Sequence, residues 1–391
     1  MNKKIGQLTY YRGNYGSILQ CYATQILFKN MGYEISTIEV VDRLPLRCIH
    51  AVNRRIVLLA KLIAFPRYTK EIFRLYTNAI NLQKGSLLSN KCKEEMEQFI
   101  KTNINITICS EAELRRFAHS DEYLLFLSGS DQIWSASWPI PNPYYFLTFA
   151  PPKKRVAWAP SFGSSSLPVY NKKTIQRWIS RYNVLSIREK SGQEIIRSFT
   201  DKKCEVLNDP VLQIDKKYWD KLNLTNSLFS DKYICLFFID TPSEDTKRYV
   251  YELKHETGYR VINFAYNHRF DFDVNYLEGG PVDFLSVIEN AELVLTDSFH
   301  ATAFSIIFHT NFITIKRNYM HTSDQSTRIT DLLHACQLVD RYATDCKDYR
   351  TALSTTKIFN TDFSKADLYI EMVRRHSNLY IDQILNNMED K

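Results

Sequence analysis

A chain of 391 residues is longer than one hydrophobic core organises and predicts two domains. Apolar residues at 45% and charged residues at 24% exclude a disordered chain. Fifty Lys or Arg against 43 Asp or Glu leave a net charge of only +7, which marks a nucleic-acid binder only if it is concentrated on a recognition element.

Short apolar runs alternate with helix-period segments along the chain, the pattern of an α/β protein. The first ten residues carry no continuous apolar run of the kind a secretory signal needs. The spacing predicts a helix over 15–30, entered through Gly13-Asn14-Tyr15-Gly16-Ser17, and a strand over 35–41. Two glycines three apart let the backbone approach a ligand that Asn14 and Ser17 can hydrogen-bond, although such loops also serve simply to turn the chain.

From Arg43 to Lys91 there are ten Lys or Arg and one acid, Glu71, a net +9 that leaves −2 for the other 342 residues. The apolar stretch inside this segment, 56–65, is interrupted by Lys61 and is too short to span a bilayer. The segment reads as a basic helical insertion, broadly 43–120, that is either solvated or in contact with an anionic membrane surface through 43–91. It holds no nucleic-acid recognition motif.

Further strands are expected at 124–127, 155–159, 184–187, 233–239, 260–264, 293–296 and 312–315, with a helix over 172–182 and a linker over 215–231. Ser191-x-x-Glu194 has the form of a capping box opening the next helix. The eight cysteines form no C-x-x-C pair and read as reduced core thiols of a cytoplasmic protein. No G-x-G-x-x-G, P-loop or G-x-S-x-G elbow is present.

Four sites carry candidate chemistry. His300 stands just after the strand 293–296, in the first turn of a helix capped by Asp297 or Ser298, where free N–H groups and the helix dipole favour an anion. Arg188 ends the strand 184–187 and can grip a carboxylate or phosphate bidentately, or pair with Glu189. Ser128-Gly129-Ser130-Asp131-Gln132-Ile133-Trp134 groups a carboxylate, an amide and an indole, a combination suited to carbohydrate, with Asp131 as a helix cap the alternative. Lys316, Arg317 and Arg328 are either extra anion ligands or exposed charges.

Gly13-Asn14-x-Gly16, Ser128–Trp134, Ser186-Ile-Arg-Glu189, Asn208-Asp-Pro-Val211 and Thr296-Asp-Ser-Phe-His300 occur in the order seen in the polysaccharide pyruvyl transferase family, which the chain resembles over roughly 5–335 outside the basic insertion. The resemblance implies two Rossmann-like domains facing a GT-B-like cleft. Residues 1–215 would form the acceptor side, and 216–391 the donor side, with a C-terminal helix crossing back. It implies pyruvate transfer from phosphoenolpyruvate, as a ketal, to a sugar of a bacterial capsular polysaccharide or exopolysaccharide precursor, with a polyprenyl-diphosphate-linked acceptor at the inner face of the cytoplasmic membrane. No cofactor and no metal are implied.

By resemblance His300, Arg188 and Asp131 are catalytic, and Arg188, Ser298, Phe299, His300, Lys316 and Arg317 hold the donor. Gly13, Asn14, Gly16, Ser17, Ser130, Asp131, Gln132 and Trp134 hold the acceptor. Many members carry Arg-Leu-His where this chain has Ser298-Phe299-His300, so the arginine is absent and Lys316 or Arg317 is expected to compensate. A GT-B-like glycosyltransferase using a nucleotide sugar and an inactive scaffold of polysaccharide assembly are the alternative functions.

Overall fold

The computed structural model describes residues 4–41, 47–82, 88–135, 139–222, 229–264, 274–317, 326–344 and 355–389. In the first half the elements run Lys4–Leu8 (β1), Tyr15–Asn30 (α1), Glu34–Val40 (β2), Arg47–Ala64 (α2), Thr69–Leu82 (α3), Asn90–Asn103 (α4), Ile106–Cys109 (β3), Glu111–His119 (α5), Tyr123–Ser128 (β4), Arg155–Ala157 (β5), Val169–Ile179 (α6), Leu185–Ile187 (β6), Lys190–Arg197 (α7) and Cys204–Val206 (β7). Two short helices follow, Pro210–Gln213 (α8) and Lys216–Asp220 (α9). The second half runs Tyr233–Phe237 (β8), Glu244–Thr257 (α10), Arg260–Phe264 (β9), Asn275–Leu277 (β10), Pro281–Glu289 (α11), Leu293–Thr296 (β11), Phe299–Phe308 (α12), Phe312–Ile315 (β12), Thr327–Ala335 (α13), Tyr342–Ala343 (β13), Thr355–Ile358 (α14) and Ser364–Glu389 (α15).

The first sheet is parallel with order β3-β2-β1-β4-β5, and a bridge between Val156 and Val184 carries it on to the β6-β7 pair. The second is parallel with order β10-β9-β8-β11-β12-β13. In both, the strand order reverses beside the first strand, which opens a crevice at the carboxyl ends of β1 and β4 and of β8 and β11. Strands β8, β11 and β12 are buried throughout, because helices cover both faces of the sheet; that is why they appear as unbroken apolar runs in the sequence.

Three expectations change. β3 pairs with β2 and α4 buries Cys92, Met96, Phe99 and Ile100, so the part of the expected 43–120 insertion beyond α3 is integral to the first half. α7 begins at Lys190 with Glu189 as its cap and no side-chain cap bond; Ser191 lies inside the helix and forms no capping box. The expected linker begins as α9, whose Trp219 is fully buried. Six cysteines, 21, 92, 109, 204, 235 and 336, are free and buried.

The C-terminal helix α15 returns to the first half. Its buried residues Ala366, Ile370, Val373, Ser377, Tyr380, Ile381, Ile384 and Leu385 recur at spacings of three, four and one, the stripe of a helix with one packed face. Tyr380 Oη donates to Leu185 O at 3.0 Å, and Tyr369 Oη to Asn208 Oδ1 at 3.1 Å.

Trp219 wedges between Tyr22 of α1 and Phe304 of α12, with ring centroids 5.7 and 5.0 Å away. Trp219→Ala should therefore destabilise both halves together by about 3–5 kcal/mol, read as a lower midpoint in urea unfolding.

Candidate active site

Each site residue sits at a strand end or a helix start, where backbone direction changes and polar groups are free. Gly13 takes a left-handed φ of 91°, and Asn14 then caps α1 by accepting Ser17 N–H at 2.8 Å. Ser17 Oγ donates to Asp131 Oδ2 at 2.5 Å. Asp131 caps no helix: it follows β4 with φ of 74° and accepts the N–H of Gln132 at 2.8 Å. Asp is among the few side chains that tolerate this conformation.

Arg188 leaves the end of β6 almost fully buried. Its Nη2 donates to Ser130 Oγ at 2.5 Å and pairs with Asp209 Oδ2 at 2.8 Å. Its Nε and Nη1 are buried without a protein partner, and a guanidinium in that state draws an anion. The acid that pairs with Arg188 is thus Asp209. Glu189, the partner considered from sequence, turns away and accepts Ser161 Oγ at 3.1 Å and Phe162 N–H at 3.0 Å. Burial pushes the Glu189 carboxyl upward, against the pull of Arg328 and Arg188.

His300 lies in the first turn of α12, and the cap is Ser298, whose Oγ accepts Ala301 N–H at 3.4 Å. Asp297 instead accepts Ile239 and Asp240 N–H at 2.7 and 3.0 Å. His300 Nε2 stands 3.4 Å from Asp209 Oδ2, near enough for charge attraction without the alignment of a hydrogen bond. Asp209 thus joins Arg188 of the first half to His300 of the second. Burial pushes the Asp209 carboxyl up, but Arg188, then His300 and the Val211 N–H, more than reverse this and hold it at about 2. The imidazole also packs over Gly16, where a Cβ would overlap the ring.

Arg328, from the first turn of α13, reaches the same place. Its guanidinium centre lies 5.6 Å from the centroid of Phe299, over which Arg188 lies at 5.7 Å. Burial, and then the nearby Arg188, lower the Arg328 pKa to about 10. Both arginines line a cavity of about 650 Å³ with Phe299, Lys190 and Asp209, and with Tyr369, Met372 and His376 of α15.

Several sequence-selected residues stand elsewhere. Trp134 is 1% exposed, stacks on Phe146 at 5.3 Å and donates Nε1–H to Tyr145 O at 3.0 Å, so it is a core residue and offers no face to a sugar. Ser130 is fully buried and holds Arg188, and the Gln132 side chain lies against Gly163. Lys316 and Arg317 line another cavity, of about 360 Å³, beside Asp240 and Ser243; Arg317 Nη2 donates to Asp297 O at 3.1 Å. Sequence reasoning assigned no role to Asp209, although Asp-Pro at a helix start is a capping signal. It left Arg328 as either an extra anion ligand or an exposed charge, because nothing local tells where a helix-start arginine points; the side chain is buried at the cavity. Among the described residues no group of three His, Cys, Asp or Glu could hold a metal ion, and no helix is long and apolar enough to cross a membrane.

Gly16→Ala should displace the His300 ring and cost about 1–3 kcal/mol, read as a lower thermal midpoint together with a loss of kcat. Asp209 has its pKa lowered in the folded state, so its stabilisation is present above the ordinary carboxylate pKa of about 4 and is lost as pH falls towards 2. Asp209→Asn strands a buried Arg188 and should cost about 3–5 kcal/mol at neutral pH. Urea unfolding of the variant between pH 5 and 2 should show a flatter acid limb than the unaltered chain.

A model of the polysaccharide pyruvyl transferase family matches residues 14–319. No protein of curated function matches the chain. Among solved structures, UDP-GlcNAc 2-epimerase from Neisseria meningitidis, bound to UDP-GlcNAc, is similar with a TM-score of 0.52 at 10% identity, over 98% of this chain and 100% of that one. UDP-N-acetylglucosamine 2-epimerase from Rickettsia bellii gives a TM-score of 0.51 at 10% identity, over 99% of each chain. At such identity the likeness describes the fold alone, a two-sheet α/β fold shared with these epimerases. The family match takes in β2 to β12 together with Arg188, Asp209 and His300, and the chain belongs to the polysaccharide pyruvyl transferase family.

Proposed function

We propose that the protein transfers pyruvate from phosphoenolpyruvate, as a ketal, onto two hydroxyls of a sugar in a bacterial capsular polysaccharide or exopolysaccharide precursor carried on a polyprenyl diphosphate. The observation that carries this reading is the pair of buried guanidiniums, Arg188 and Arg328, around Phe299, with Arg188 Nε and Nη1 lacking protein partners. Phosphoenolpyruvate sets a carboxylate and a phosphate on one three-carbon unit, so two cations lining one cavity match its two anionic groups. Arg328 supplies the charge that Ser298 lacks, and Lys316 and Arg317 are left to the second cavity.

In this reading His300, held beside Asp209, acts as the general acid. It gives a proton to the methylene carbon, which becomes a methyl group, and C2 becomes oxocarbenium-like. One acceptor hydroxyl adds to C2 and loses its proton. The C2–O bond to phosphate then breaks, the second hydroxyl adds and loses its proton, and inorganic phosphate leaves. Asp131, fixed by Ser17, orients or deprotonates the acceptor. The second cavity suits a nucleotide sugar poorly, because Asp240, Asp245 and Asp297 there outnumber Lys316 and Arg317 and repel a diphosphate.

The test is to follow products. The chain should release phosphate from phosphoenolpyruvate when a diol-bearing lipid-linked sugar is present, and the sugar should gain the mass of a pyruvate ketal. It should release no UDP from UDP-sugars. His300→Ala should lower kcat by about 100- to 10,000-fold with phosphoenolpyruvate binding nearly kept. Arg188→Met or Arg328→Met should weaken that binding by about 10- to 100-fold in calorimetry. UDP release, absence of phosphoenolpyruvate binding, or ordinary turnover by His300→Ala would each sink the reading.

A further inference from the structure

Of the thirteen large apolar side chains exposed among the described residues, five belong to two helices joined by one turn: Ile56, Val57, Leu59 and Ile63 on α2, and Phe73 on α3. The two helices are not loose. On their inner side Lys61 Nζ donates to Pro139 O at 2.9 Å and to Asn171 Oδ1, and it lies 5.7 Å from the Tyr170 ring centre. Phe65 and Tyr68 meet Tyr170 edge-on, Tyr170 Oη donates to Glu71 Oε1 at 3.1 Å, and Ile72 is buried. One tyrosine at the start of α6 thus seats both helices and fixes which side faces outward.

That outer side is apolar where a solvated helix would be polar. Ile56, Leu59 and Ile63 follow one another at i, i+3 and i+7, so they form one stripe, and Leu59, Ile63 and Phe73 are 59%, 79% and 60% exposed. The charges around the stripe have one sign. Arg55, Arg67, Lys70 and Arg74 are exposed, and the one acid between 55 and 77, Glu71, is turned inward to Tyr170. Lys61 is taken by Pro139 and Asn171, and burial lowers its pKa to about 8, so it does not belong to the cationic rim.

We propose that the outer face of α2 and α3 seats the protein on an anionic lipid surface, with Ile56, Leu59, Ile63 and Phe73 entering the headgroup boundary and Arg55, Arg67, Lys70 and Arg74 meeting lipid phosphates. An apolar stripe with a wholly basic rim is the composition of a helix that lies in the membrane plane. No described helix is long and apolar enough to cross a membrane, so the contact is one of lying on the surface. A second copy of this chain is a worse occupant, because a two-fold contact through this face would set the same cations against each other. This contact does not depend on the transfer reaction: vesicle binding needs no turnover.

The experiment is co-sedimentation of the full chain with phosphatidylcholine vesicles, with and without phosphatidylglycerol. The chain should sediment with the anionic vesicles only, and added salt should release it. Arg67→Ala/Lys70→Ala/Arg74→Ala should weaken partitioning about a hundredfold, at about fivefold per cation. Leu59→Asp/Ile63→Asp should abolish it, with the circular-dichroism spectrum unchanged. Absence of binding to anionic vesicles overturns the proposal, as does binding that neither variant alters. A dimer in sedimentation that Leu59→Asp/Ile63→Asp dissolves, with no vesicle binding, overturns it in favour of a second copy.

Discussion

The site hangs on the ion pair between Arg188 and Asp209. Both side chains are nearly or fully out of water, and Asp209 Oδ2 faces Arg188 on one side and His300 on the other. A buried ion pair adds little net stability, because desolvation consumes most of the attraction. What this pair supplies is position. It fixes the Arg188 guanidinium with two donors still unused, and it sets a full negative charge beside the imidazole.

The fold exists in a form that makes this meeting possible. Each parallel sheet carries its polar loops at the carboxyl ends of its strands, so Ser17, Asp131 and Arg188 collect at one edge and His300 at another. The edges must then be pressed together closely, and two residues permit it. Gly16 has no side chain where the His300 ring lies, and Trp219 fills the space between α1 and α12. α15, crossing back from the far end of the chain, walls the cavity that the two arginines share.

Much of this was legible in the sequence, for a physical reason. Parallel strands covered on both faces are continuous apolar runs, so β9, β11 and β12 fall on the expected bounds, as does α1 behind its Asn14 cap. The placement of His300 and Arg188 was legible because a strand end followed by a helix start leaves a local pattern. The failures have causes too. An indole in a short loop looks the same whether it faces a sugar or the core, and only Tyr145 O and Phe146 decide for Trp134. β3 is a four-residue edge strand with only Cys109 buried, too short to show a period, so its place in the sheet was hidden and the insertion looked longer than it is. Asp209 and Arg328 acquire their roles only through partners far along the chain, which no local pattern records.

The distribution of positive charge separates two kinds of recognition. A net charge of +7 says nothing by itself, and even the +9 of the segment from Arg43 to Lys91 mixes unlike residues. Lys61 is spent on Pro139 and Asn171, and so is structural. Arg188 and Arg328 are buried against one phenylalanine, and in the proposed reading they hold a small ligand that brings two negative groups into one cavity. Arg55, Arg67, Lys70 and Arg74 stay hydrated, and each alone gains little from any single anion. Only a partner that presents many anions at once, beside an apolar layer able to take up Leu59 and Ile63, rewards them together. The burial of a cation, more than its number in the sequence, therefore decides whether it reads a molecule or a surface.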